Sequence, residues 1–176
     1  MIRTVCTAVA CLILGLSPSA VRAQDSALAE YEMFVRRSSV PRLVWQRIRD
    51  AGLHPAYDVN VLHTNPFYLR GDFDGDNKSD YVVVLTHRQV EAPDRLAVLM
   101  GSGEVAWLDR DELLRYPTLD AWEVRPVEDG PLHQSPYDER PPPQLLGDVI
   151  AISKVEASTS YLLWNGSRFV SYWVGD

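Results

Sequence analysis

Gly71-Asp72-Phe73-Asp74-Gly75-Asp76-Asn77-Lys78-Ser79-Asp80 runs directly into Tyr81-Val82-Val83-Val84-Leu85. The nine residues from Asp72 to Asp80 place carboxylates at positions 1, 3, 5 and 9, and an apolar run rich in β-branched residues follows at once. Four carboxylates this close repel one another, and clustering them without a counter-charge costs several kcal/mol. A hard cation removes that cost. Calcium takes six to eight oxygens at flexible angles, so a chain curling through tight turns can wrap it. The expected ligand set is the side chains of Asp72, Asp74, Asp76 and Asp80 with the backbone carbonyl of Lys78, completed by water. Gly75 gives the backbone freedom beside the ion. Position 6 calls for a left-handed residue and holds Asn77, the next most tolerant type after glycine, which should weaken the site modestly.

Other ions and loops fit less well. An EF-hand needs a bidentate Glu at position 12, where this chain has Val83, and a helix rather than a β-run after it. Magnesium demands stricter octahedral geometry and keeps its waters. The loop has no Cys or His to favour zinc or copper. The competing reading is a solvated acidic turn that holds no ion.

Working outward, Leu96-Ala97-Val98-Leu99-Met100 is a second continuous apolar run. Both runs suit central strands covered on two faces. Gly101-Ser102-Gly103 turns the chain into Val105-Ala106-Trp107-Leu108, and Trp122-Glu123-Val124 is a further strand. Ser160 to Trp164 and Arg168 to Val174 form a hairpin about Asn165-Gly166, expected as a type I′ turn with both residues at positive φ. On its second strand Phe169, Ser171 and Trp173 alternate with Val170, Tyr172 and Val174; one face covers the core, and the other, if exposed, is an aromatic patch. Toward the N-terminus, Leu28, Tyr31, Phe34 and Val35 fall at helical spacing. A second helix follows Pro41 as a first-turn residue, carries Val44, Trp45, Ile48 and Ala51, and stops at Gly52. Pro126 to Pro143 holds six of the twelve prolines and reads as a long surface loop, either functional or simply mobile.

Residues 67–108 resemble a single repeat of the FG-GAP/VCBS type, the blade unit of integrin-like β-propellers. The resemblance rests on Gly71-Asp72-Phe73-Asp74-Gly75-Asp76, Ser79-Asp80-Tyr81-Val82-Val83-Val84 and Leu96 to Gly103. It implies a calcium loop joining two strands, with Asp72, Asp74, Asp76, Asp80 and the Lys78 carbonyl as ligands. A propeller needs about four to eight blades, and only one such unit occurs, so a full propeller is not expected. The stretch from Gly147-Asp148-Val149-Ile150 through the final hairpin is similar to exported bacterial proteins that pair it with this loop, a similarity that implies no activity. The expected fold is α+β: two N-terminal helices packed on one antiparallel sheet that the remaining strands extend.

Arg3, the apolar run Val5 to Leu16 and the small-residue pattern Val21-Arg22-Ala23 read as a secretory signal peptide over residues 1–23. The run is too short to span a bilayer, which needs about 20 apolar residues. Cleavage after Ala23 removes Cys6 and Cys11, both of the cysteines, and leaves one 153-residue domain, 24–176. It also removes Arg3 and Arg22, leaving 15 basic residues against 24 acidic and a formal charge of −9. Such a balance argues against nucleic acid or an anionic membrane as partner. A periplasmic or secreted protein is expected, with an envelope protein or glycan as partner beside the calcium ion.

Signals for catalysis are sparse. His54, His63, His87 and His133 lack metal-ligand spacing, and neither a nucleophile elbow nor a glycine-rich phosphate loop occurs. The leading expectation is a non-enzymatic calcium-binding structural or binding module of the cell envelope, with no catalytic residues. The alternative is a calcium-stabilised hydrolase, carbohydrate-active or other. It would draw on Asp109, Asp111, Glu112, Asp120 and Glu123 as paired acids and on Trp107 and Trp122 as sugar platforms.

Overall fold

A computed structural model describes residues 27–31, 33–35, 38–61, 66–89, 92–108, 121–154 and 158–175. The signal peptide expected over residues 1–23 lies outside them, as do His63 and residues 109–120. Residues 27–31 and 33–35 are helical, and α1 spans Arg42–Asp50. Pro41 stands one place earlier than expected, as the extended N-cap of α1. Gly52, at φ +70°, ends the helix as expected. Its left-handed turn lets the Leu53 N–H reach the Ile48 carbonyl, which satisfies an otherwise orphaned acceptor.

Among the described residues nine strands follow: β1 (Tyr57–Val59), β2 (Tyr68–Gly71), β3 (Asp80–His87), β4 (Arg95–Leu99), β5 (Val105–Trp107), β6 (Ala121–Arg125), β7 (Val149–Lys154), β8 (Ser158–Trp164) and β9 (Phe169–Gly175). All pairings are antiparallel. In the first sheet β3 lies between β4 on one side and β1 and β2, end to end, on the other, with β5 outside β4. Residues 67–108 thus contain the β2–β5 part of one sheet.

The strands after residue 108 correct one expectation. They do not extend the first sheet but form a second, in the order β6-β7-β8-β9. The cause is the double-sided burial of β3. Tyr81, Val83 and Leu85 share a core with Val44 and Ile48 of α1, with Val35 and Val40, and with Ala97 and Leu99 of β4. Val82 and Val84, on the opposite face, pack with Leu96 and Val98 against Trp122, Ile150, Ile152 and Leu162 of the second sheet. A sheet apolar on both faces needs two covering layers, and each fully buried Val, Leu or Ile contributes about 1.5–3 kcal/mol.

The proline-rich segment and the residues just after it supply a further layer. Leu132 and Leu145 pack on the outer face of the second sheet with Val149, Leu163 and Tyr172. The Ser135 N–H donates to the Tyr172 hydroxyl at 2.9 Å, and Arg140 Nη2 donates to the Ser171 carbonyl at 3.0 Å. Both faces of the final strand are therefore covered, and of its aromatics only Trp173 is exposed, at 43%, beside the Tyr137 ring. The hairpin turn differs as well. Gly166 takes positive φ, but Asn165 does not; its side-chain Oδ1 accepts from the Ser167 and Arg168 N–H groups instead. Among the described residues, no helix is long and apolar enough to cross a membrane.

Candidate metal centre

The acidic loop joins β2 to β3, two strands paired up to the Gly71–Asp80 rung. That pairing brings the first and last carboxylates of the nine-residue segment face to face. Oxygens of Asp72, Asp74 and Asp80 lie within 4.8 Å of one another, the one grouping of its kind among the described residues.

Backbone amides shape the curl. Asp72 Oδ1 accepts from the Gly75 and Asp76 N–H groups at 2.9 and 3.0 Å, and its Oδ2 accepts from the Asn77 N–H at 2.8 Å. Asp74 Oδ1 accepts from the Asp76 N–H at 3.1 Å. Asn77 sits at φ 64°, the left-handed conformation expected of position 6, and is the sole non-glycine with positive φ among the described residues. Each carboxylate offers about four lone-pair sites, so these bonds leave acceptor capacity for an ion.

Asp80 differs from the others in being wholly buried. Its Oδ2 accepts from the Phe73 N–H at 2.8 Å and its Oδ1 from the Gly101 N–H at 2.6 Å. Burial pushes its carboxyl up to about 6, against the two amide bonds that favour the charged form. Burial also raises the pKa of Asp74, with the charges of Asp76 and Asp72 adding to it.

Asp76 stands apart from the triad. Its carboxylate accepts from Lys78 Nζ at 2.7 Å and from the Lys78 N–H at 2.8 Å, and these bonds lower its pKa. The Lys78 side chain is 59% exposed, so this surface pair contributes little to stability. Of the five residues expected from the sequence, the structure gathers three carboxylates and sets the other two against each other by their side chains.

Sequence reasoning missed how the loop is held. Asp148, just before β7, accepts the Asp72 N–H at 3.0 Å and the Val127 N–H at 2.9 Å, while its own N–H donates to the Asp72 carbonyl at 2.7 Å. Contact here is close enough that a Cβ on Gly147 would collide with the Asp72 carbonyl oxygen, and one on Gly75 with the Leu146 carbonyl oxygen. The Gly147-Asp148 pair was visible in the sequence, but its 76-residue separation from Asp72 is not a spacing from which a contact can be read.

The residues considered for hydrolysis are described only in part. Asp109, Asp111, Glu112 and Asp120 lie outside the described residues, and Glu123 is exposed on β6. Trp122 is buried between the sheets with its Nε1 donating to the Pro66 carbonyl at 2.9 Å, so it offers no ring face to a sugar. The Trp107 face is taken by the Arg95 guanidinium, 3.7 Å from the ring centre. His87 packs edge-on against Tyr57. Comparison with family models, curated proteins and solved structures finds no match for this chain.

Proposed function

We propose that the protein is an exported, non-enzymatic calcium-binding module of the cell envelope, periplasmic or secreted, in which the ion clasps the β2–β3 connection and stiffens a surface that meets an envelope protein or glycan. Kinship with FG-GAP/VCBS-type repeats belongs to the same reading and rests on the loop residues. The observation that carries it is the convergence of Asp72, Asp74 and Asp80 within 4.8 Å, with the buried Asp80 held by two backbone amides. A donor set made only of carboxylates suits a hard cation. Asp72, Asp74 and Asp80 would hold the ion, with Asp76 and the Lys78 carbonyl completing the set. Calcium would supply charge neutralisation and a rigid loop, with no chemistry of its own. The position of the loop, bonded to Gly101 on one side and Asp148 on the other, supports a structural rather than catalytic role.

Thermal melting in calcium and in chelator tests this. At 1 mM calcium and a dissociation constant of about 0.1 mM, linkage gives about 1.4 kcal/mol. For a domain of this size that is a rise in Tm of roughly 3–6 °C. Asp74→Ala should abolish most of the rise. An unchanged wild-type melt on chelation would falsify the calcium reading.

A further inference from the structure

We propose that the recess between α1 and β1 binds a phosphate monoester with a ring or other apolar body. The recess measures about 640 Å³, in the range of small-ligand pockets and larger than a phosphate ion alone would fill. Its wall takes Arg42, Trp45 and Arg49 from α1, His54 from the turn after the helix, Asp58 from β1, and Arg88 from the residue following β3. Met33 adds apolar surface.

The charges left unpaired decide what the recess can hold. Arg88 is committed: its Nη2 donates to Asp58 Oδ1 at 2.9 Å and its Nε to the Tyr57 carbonyl at 3.2 Å. The carboxylate on this wall is thereby neutralised. Among the described residues, the side chains of Arg47, Arg70, Arg88, Arg95, Arg125 and Arg140 each meet a hydrogen-bond or aromatic partner, whereas those of Arg42, Arg49 and Arg168 meet none. Two of these three stand on this wall, in a chain whose formal charge of −7 offers more carboxylates than cations to pair them. Seven residues separate them, about two helical turns, so they share one side of α1 with Trp45 between them. Charges more than about 8–10 Å away are screened at physiological ionic strength, so the local surplus and not the acidic total sets the ligand's charge. Two free guanidinium groups match a phosphate monoester, which carries about −1.5 to −2 at pH 7, better than a single carboxylate. Arginine forks also fit its oxygens in pairs. Trp45 packs on the core that holds Val44 and Ile48, which fixes the indole as an apolar seat for the rest of the molecule. No residue of the acidic loop lines the recess, so binding there needs no calcium.

The test is calorimetric titration of the full chain with phenyl phosphate, in buffer stripped of calcium so that phosphate cannot bridge to an ion at the acidic loop. Binding is expected, about tenfold tighter than that of inorganic phosphate, and phenol should not bind. Arg42→Gln and Arg49→Gln each remove a charge-assisted hydrogen bond and should weaken phenyl phosphate about tenfold. Arg168→Gln, the same change of charge outside the recess, should leave it unchanged. Trp45→Leu should bring phenyl phosphate down toward inorganic phosphate without altering the affinity for the latter. Circular dichroism and melting establish the fold of each variant. If Trp45→Leu does not fold, Met33→Ser, at an exposed position, reads the apolar seat instead as a loss of about threefold. Absence of phenyl phosphate binding, unchanged binding in the Arg42→Gln, Arg49→Gln double variant, or an equal loss in Arg168→Gln would each overturn the proposal. So would inorganic phosphate binding as tightly as phenyl phosphate, which marks a free-anion site with no seat for a body.

Discussion

Asp80 has no exposed surface, and both its oxygens are bonded to backbone N–H groups, those of Phe73 and Gly101. Burial outweighs these bonds and raises its carboxyl from 3.8 to about 6. The sign of the pH effect follows. A folded-state pKa above the unfolded value means that the folded protein holds the proton more tightly, so this contribution is complete below about pH 4 and is lost as pH rises through 6. In chelator, stability from this group should fall over that window by on the order of 3 kcal/mol, read as a falling urea midpoint. Asp138 acts in the opposite sense at lower pH. The Arg140 hydrogen bonds hold it down to about 2, so its contribution is lost only as pH drops below 4. Calcium should flatten or reverse the slope between pH 4 and 6, because the ion requires the charged carboxylate and competes with the proton. A metal-free slope that survives Asp80→Asn would assign the effect to another group. Spacing alone named Asp80 as position 9, but its burial depends on Gly101, 21 residues away across the β3–β4 pairing. Asn77 was legible for the opposite reason: a left-handed turn is decided within the loop itself.

The β2–β3 loop and the segment leading into β7 meet without side chains between them, because Gly75 and Gly147 bring two backbones into contact. Asp148 then uses both carboxylate oxygens as acceptors, for Asp72 and Val127. Gly147→Ala forces a methyl group toward the Asp72 carbonyl and the Gly75 nitrogen, the latter 2.8 Å from the added carbon. Overpacking of this kind costs about 1–3 kcal/mol. Asp148→Ala leaves two amides short of an acceptor and should cost a similar amount. The informative readout is calcium affinity by titration calorimetry. Both variants should weaken it several-fold if the lead-in sets the loop's shape, whereas lost stability at full affinity would make the contact a packing feature only. In the sequence the hairpin strands were readable from period and turn residues, since those signals are local. The lead-in's role was not, because it depends on the second sheet being stacked on the first. Pro126 to Pro143 shows the same limit: proline forbids regular structure there, but does not reveal that Leu132 covers Tyr172.

At the scale of the molecule, Phe73 joins these levels. It lies between two of the acidic residues, is fully buried, and belongs to the apolar layer shared by the two sheets, alongside Trp122, Ile150 and Phe169. The α+β class and double-sided burial of β3 could be read from Tyr81 to Leu85, whose unbroken apolar run admits no wet face. That the second cover is another sheet could not, because alternation on β7 and β8 is equally satisfied by an extension of the first sheet. The stacking makes the loop a junction between two sheets rather than an appendage of one hairpin. Hydrogen exchange can separate these possibilities. If the loop is a junction, chelation should speed exchange at the Phe73 and Gly101 amides and, by a comparable factor, at the Val127 and Asp148 amides of the second sheet's approach. With about 1.4 kcal/mol of linkage the factor is about ten, wherever exchange reports openings that release the ion. Acceleration confined to residues 72–80, with Val127 and Asp148 unchanged, would show the ion stabilising one turn and leave the contact between the sheets independent of it.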